Sequence, residues 1–95
     1  MDIFSLLALK GTRKILTKLY SLGEVRYSDL VSAVGHSTTT TRSLNYLQNF
    51  GLVKRRVLAE KYRPVVYSLT KKGEKLAKIV LELQEFEKEL KKAGK

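Results

Sequence analysis

Four consecutive threonines, Thr38 to Thr41, run into Arg42, Ser43, Leu44, Asn45, Tyr46, Leu47, Gln48, Asn49, Phe50 and Gly51. The polar groups of this stretch suit one kind of chemistry, hydrogen bonding to the edges and backbone of a nucleic acid. A threonine hydroxyl can meet a phosphate or a base edge, and its methyl can pack on thymine. Arginine can set two parallel donors on guanine O6 and N7, and asparagine can engage adenine in the same bidentate way. Threonine is a mediocre helix former because its β-branch restricts the side chain. Four in succession at a helix start therefore make poor sense for helix stability alone.

Sorting the stretch at about 100° per residue from Leu44 divides it into two sides. Ser37, Thr40, Thr41, Leu44, Leu47 and Gln48 fall on one, the side expected to pack inward. Thr38, Thr39, Arg42, Asn45, Tyr46 and Asn49 fall on the other, with Ser43 at the border. The outward side holds no carboxylate and no large aliphatic residue. A solvated helix face usually mixes signs, whereas this one contains nothing that repels a polyanion.

Other chemistry finds little support. His36 is the single histidine, there is no cysteine, and no P-loop, Gly-x-Gly-x-x-Gly or metal-ligand spacing occurs. Disulfides and thiolate metal sites are excluded. An enzyme is not expected, nor is any cofactor or metal. No apolar run approaches the ~20 residues needed to span a bilayer. The apolar Ile3 to Leu9 stretch lacks the basic lead and small-residue cleavage site of a signal peptide. A cytoplasmic, nucleoid-associated place is the expectation.

Charge supports the polyanion. The 95 residues carry 19 basic and 9 acidic groups, a net charge of +10. The excess is uneven: residues 10–78 hold a balance of +11 and residues 79–95 a balance of zero. A basic body suits phosphates and a balanced tail suits protein. No single helix pairs a strongly basic face with a large apolar one, which disfavours a membrane surface.

The elements that must position the threonine stretch can be read in order, as one domain over residues 1–95. Residues 2–22 read as a first helix, interrupted near Gly11, with Thr12 as an N-cap and Gly23 as the stop. Lys10, Arg13, Lys14 and Lys18 share much of one face. Glu24 to Tyr27 is β-prone and could add an edge strand. Ser28 and Asp29 start a second helix that points Leu30, Val31 and Val34 inward and ends at Gly35. The recognition stretch, 38–50, begins within about three residues, so 28–50 has a helix-turn-helix pattern.

After Gly51, residues 52–59 and 65–69 read as two strands of a hairpin spanning 52–69, with Pro64 confined to the loop or a strand's first residue. The tip, 60–64, sets Lys61 and Arg63 around Tyr62, suited to a DNA backbone or minor groove. Thr70 caps a last helix, 70–92, in which Leu76, Ile79, Leu83, Phe86 and Leu90 recur at spacings of three and four. So long an apolar stripe on a small domain calls for a second copy, with help from the first helix. The fold class is thus α+β and mostly helical.

Three segments carry a family resemblance. Arg26-Tyr27-Ser28-Asp29-Leu30 looks like the opening of a second helix, Gly51-Leu52-Val53-Lys54-Arg55 like the exit into a first wing strand, and Tyr67-Ser68-Leu69-Thr70-Lys71-Lys72-Gly73 like the turn into a dimer helix. Together they resemble the winged helix-turn-helix transcription regulators, most closely the HxlR group and more loosely the MarR and PadR groups, over roughly residues 10–86. The resemblance implies a recognition helix in the major groove, the 60–64 loop as a wing, and a homodimer built on terminal helices. The chain departs from that group in having no tryptophan, no cysteine for thiol sensing, and unusually polar Thr40 and Thr41.

The residues expected to meet DNA are Thr38, Thr39, Arg42, Asn45, Tyr46 and Asn49 on the helix. Lys54, Arg55, Arg56, Lys61, Tyr62 and Arg63 join them from the wing. The expected function is a dimeric, sequence-specific transcription regulator. A coat protein with little sequence preference, or a protein-binding winged helix within a larger assembly, remain as alternatives.

Overall fold

The computed structural model describes residues 1–93, in the order α1 (Ile3–Ala8), α2 (Lys10–Leu22), β1 (Val25–Arg26), α3 (Tyr27–Val34), α4 (Ser37–Asn49), β2 (Val53–Val57), β3 (Val65–Leu69) and α5 (Lys71–Ala93). Leu6, Ile15, Leu16, Leu19, Leu30, Leu44 and Leu47 form the centre of the core, sealed by Val25, Leu52, Val53, Tyr67, Ala77 and Val80.

The expected first helix is two helices. The chain breaks at Leu9, whose extended backbone (ψ 119°) ends α1 and starts α2. Thr12 is not the N-cap. It lies in the first turn of α2, fully buried, and its hydroxyl reaches back to the carbonyls of Leu6 (2.5 Å) and Leu9 (2.7 Å). Arg13 donates to the Leu7 carbonyl. Two side chains of α2 thus bond carbonyls at the end of α1, adding to the backbone N–H groups that already meet Leu6 and Leu9. Arg13 is committed to this joint, while Lys10 and Lys14 remain exposed.

The second helix starts at Tyr27, ahead of the expected Ser28, and Gly35 ends it in the left-handed conformation at φ 103°. At the end of α4, Leu52 N–H bonds the Leu47 carbonyl and Gly51 N–H the Gln48 carbonyl, both at 2.9 Å, with Gly51 at φ 73°. This is the Schellman arrangement, in which a left-handed glycine turns the chain out of the helix.

The sheet has three antiparallel strands in the order β1-β3-β2. β1 is an edge strand, pairing Val25 with Tyr67 and Arg26 with Val66. β2 pairs Lys54 with Ser68, Arg55 with Tyr67 and Arg56 with Val66. The strand expected over 52–59 is shorter, because Leu58 already belongs to the loop and donates to the Pro64 carbonyl.

A compact joint links α4, the sheet and α5. Thr70 donates its N–H to the Leu52 carbonyl (3.0 Å) and its hydroxyl to the Gly51 carbonyl (2.7 Å), and accepts the Gly73 N–H (3.1 Å). A Cβ at Gly73 would lie 1.9 Å from the Leu52 carbonyl oxygen, so only glycine fits. α5 then turns Ala77 and Val80 into the core and leaves Ile79, Leu83, Phe86 and Leu90 exposed. Leu76 belongs to neither stripe alone: it is half-buried against its own chain's core.

Candidate nucleic-acid interface

α4 is seated on α2 through small residues. A Cβ at Gly11 would come within 2.6 Å of the Ser43 hydroxyl and 3.2 Å of the Thr39 methyl. This close approach draws Ser43 into the core and rotates α4 by about half a residue step (about 50°) from the orientation centred on Leu44. Thr40, Ser43, Leu44 and Leu47 are the buried residues. Thr40 returns its hydroxyl to the His36 carbonyl at 2.6 Å, so its polar atom is satisfied within the helix. His36 itself supplies no side-chain cap.

The rotation corrects three expectations. Thr41 faces outward, not into the core, and Ser37 is exposed as well. Tyr46 is half-buried and packs on the core, which leaves little of its ring to meet a ligand. Thr39 is exposed, but its methyl lies at the α2 border. Thr38, Arg42, Asn45 and Asn49 stand on the outward face as expected. Thr38, Thr41, Arg42 and Asn45 fall at successive spacings of three, one and three, the ridge of a single helix face, and line one shallow groove with Tyr27 and Ser37.

The wing is arranged differently. Its tip is a turn closed by Arg63 N–H on the Glu60 carbonyl (2.9 Å), with Arg63 in the left-handed region at φ 47°. That conformation is uncommon for a residue other than glycine. Tyr62 is 86% exposed, and the Lys61 ammonium sits 5.7 Å from its ring centroid. Lys54 and Arg55 are exposed on β2.

Arg56, expected to meet DNA, is exposed and paired with Glu24. Its Nε and Nη2 donate to the two carboxylate oxygens at 3.2 and 2.7 Å. The Glu24 carboxylate pushes the Arg56 pKa still higher, first through that hydrogen bond and then through its charge. Arg26 pairs with Glu60 at 3.3 Å. Arg26 and Arg56 both stand opposite Val66, one from each neighbouring strand. Their two ion pairs therefore tie β1 and β2 to each other and to the tip around the central strand. Sequence reading missed this pairing, since Arg56 and Glu24 are 32 residues apart and nothing local links them. It also missed Tyr27, whose hydroxyl meets Thr41.

Among the described residues no cluster of His, Cys, Asp or Glu could hold a metal, and no helix is long and apolar enough to cross a membrane.

Three helices around a buried core, a second helix turned tightly into an outward-facing polar third, and a basic hairpin beside it define a winged helix-turn-helix protein. The chain belongs to the HxlR-like helix-turn-helix family, which matches residues 6–95. No curated protein matches it. Among solved structures it is similar to the reduced form of the transcriptional regulator YodB from B. subtilis, at 26% identity and TM-score 0.71, covering 87% of this chain and 82% of that one. It is similar to ytfH from Salmonella typhimurium at 26% identity and TM-score 0.80, covering 93% and 80%. A MarR family regulator from Silicibacter pomeroyi shares 29% identity at TM-score 0.71, over 85% of this chain and 56% of the other. The family and fold are those of DNA-binding transcriptional regulators, not of enzymes.

Proposed function

We propose that this protein is a homodimeric regulator that places α4 in the major groove and its wing on the adjacent backbone or minor groove. The observation that carries the reading is the outward ridge of α4: Thr38, Arg42, Asn45 and Asn49 are exposed together, and no carboxylate lies among them. Arg42 and Asn45 are the base readers, with Asn49 one turn further along. Thr38 and Thr39 hold phosphates or sugar at the helix start, and Tyr46 contributes at most its outer edge. Lys54, Arg55, Lys61 and Arg63 hold phosphates from the sheet and tip, and Tyr62 offers an aromatic surface to the groove.

The experiment is selection of bound sites from random duplex DNA at two salt concentrations. Discrete sites that survive competitor DNA support the regulator. A specificity ratio near one, with a steep salt slope, favours a coat protein instead. Arg42→Ala is expected to weaken binding to the selected site by about 1–3 kcal/mol and to relax one base preference. Equal loss on selected and random DNA would refute base reading by Arg42.

The dimer rests on the outer stripe of α5. Leu83 and Phe86 are 55% and 53% exposed, and Phe4 of α1 is 80% exposed at the rim of a groove between α1 and α5. Leu90 continues the stripe, while Ile79 and Leu76 lie nearer the body. A second copy covers this surface and sets two α4 helices roughly 34 Å apart, one turn of DNA. Leu83→Glu is expected to convert a species near twice 10.8 kDa into one of 10.8 kDa by light scattering. A wild-type monomer at micromolar concentration would remove the dimer from the reading. DNA binding inside the cell, in the cytoplasm, goes with this role.

A further inference from the structure

Thr40 and Thr41 are neighbours with opposite hydrogen-bonding fates. Thr40 donates to the carbonyl one turn back, at His36. The matching carbonyl for Thr41 is that of Ser37, and there the Tyr27 hydroxyl stands at 3.4 Å. The same Tyr27 oxygen lies 2.7 Å from the Thr41 hydroxyl. A phenol has one proton and a carbonyl can only accept. Either oxygen could donate across the 2.7 Å contact; when Tyr27 gives its single proton to the Ser37 carbonyl, Thr41 is the donor to Tyr27 and the chain of donors runs Thr41 to Tyr27 to the Ser37 carbonyl.

The relay is held in place from behind. Tyr27 is half-buried against the core, and its ring meets that of Tyr67, on the central strand, at a centroid distance of 6.5 Å and a tilt of 47°. The Thr41 side chain is exposed and shares its groove with Arg42 and Asn45. In that arrangement its proton is turned inward, and the oxygen shows solvent only lone pairs.

We propose that Tyr27 is a specificity-determining positioning residue: it fixes the Thr41 hydroxyl as an acceptor, so that Thr41 reads an exocyclic base amine. A free threonine serves phosphates, keto groups and amines alike, because its hydroxyl can donate or accept. With its proton committed, Thr41 has nothing to give a phosphate oxygen, thymine O4 or guanine O6. It can accept from cytosine N4 or adenine N6, the amines the major groove displays. The inference rests on α4 entering that groove.

The test is quantitative binding of the full chain to the selected duplex and to all its single-base variants, with Tyr27→Phe, Thr41→Ser and Thr41→Val beside the wild type. At one position the wild type is expected to favour an amine-bearing base by about tenfold. Tyr27→Phe frees the Thr41 proton and should bring that preference down to about twofold, keto bases now being accepted, with the salt slope and the other positions unchanged. Thr41→Ser keeps the wild-type preference and Thr41→Val abolishes it. A Tyr27→Phe profile identical to wild type, or a wild-type preference for a keto base at the position sensitive to Thr41→Val, overturns the proposal. Should Tyr27→Phe not fold, the two Thr41 variants decide: equal profiles for Thr41→Ser and Thr41→Val overturn it. Loss of all base dependence on Arg42 sinks the groove reading itself. A normal Arg42 dependence with an unmoved Tyr27→Phe profile sinks only the role of Tyr27.

Discussion

α4 and the wing both present arginines to solvent, but they use them differently. On α4, Arg42 stands on a face without carboxylates, among Thr38, Thr41 and Asn45. In the wing sheet, Arg26 and Arg56 are tied to Glu60 and Glu24 across strands. Exposed charge is therefore not one quantity. The helix arginine is free to find a partner outside the chain. The two sheet arginines shape the hairpin that carries Lys61, Tyr62 and Arg63. Net charge counts all of them equally, although Arg26 and Arg56 already have carboxylate partners within the chain.

The largest effect should come from breaking the joint that holds the two regions in one geometry. Gly73→Ala drives a methyl against the Leu52 carbonyl, which is backbone and cannot step aside. Overpacking of this kind typically costs about 1–3 kcal/mol, so the thermal midpoint should fall by about 10 °C, and DNA affinity with it. An unchanged melting curve would show that the joint yields.

A smaller effect separates the regions by their readout. Removing the free wing cations, as Lys61→Ala with Arg63→Ala, should weaken binding nearly uniformly across sequences and lower the salt slope by about two. Base preferences set by α4 should stand. A changed base preference would make the wing tip a reader and erase the contrast.

The smallest effect tests whether the paired arginines are really occupied. Glu24→Gln keeps the side-chain shape but releases Arg56 from its charge. Exposed ion pairs contribute little to stability, so the melting curve should barely move. Affinity for random DNA at low salt should rise slightly, with a slope steeper by up to about one phosphate contact. A loss of affinity would mean that the shape of the hairpin matters more than the freed charge.

Much of this fold was legible from local signals. Gly23, Gly35 and Gly51 mark helix ends, Pro64 marks the loop, and Thr70 starts α5 by capping Gly73. The outward face of α4 was legible only to within a rotation. A wheel centred on Leu44 treats all turns as equal, whereas the absent side chain at Gly11 lets Ser43 approach and shifts the whole helix. The same long-range character hid the break at Leu9, which is stabilised by Thr12 and Arg13 from the following helix. It hid the Arg56 partner too, because the sheet order that brings Glu24 near is set by β1 joining the far side of β3. What depends on neighbours in sequence could be read; what depends on which surfaces meet could not.

The Thr70 joint has a mechanical meaning. One residue bonds the carbonyls of Gly51 and Leu52, just beyond α4, while capping α5. No slack segment separates the helix that faces outward from the helix that carries the exposed apolar stripe. A rotation of the first turn of α5 would pull directly on the carbonyls of Gly51 and Leu52. A substitution that tilts α5 would thereby be felt at the end of α4 without altering any side chain on its outward face.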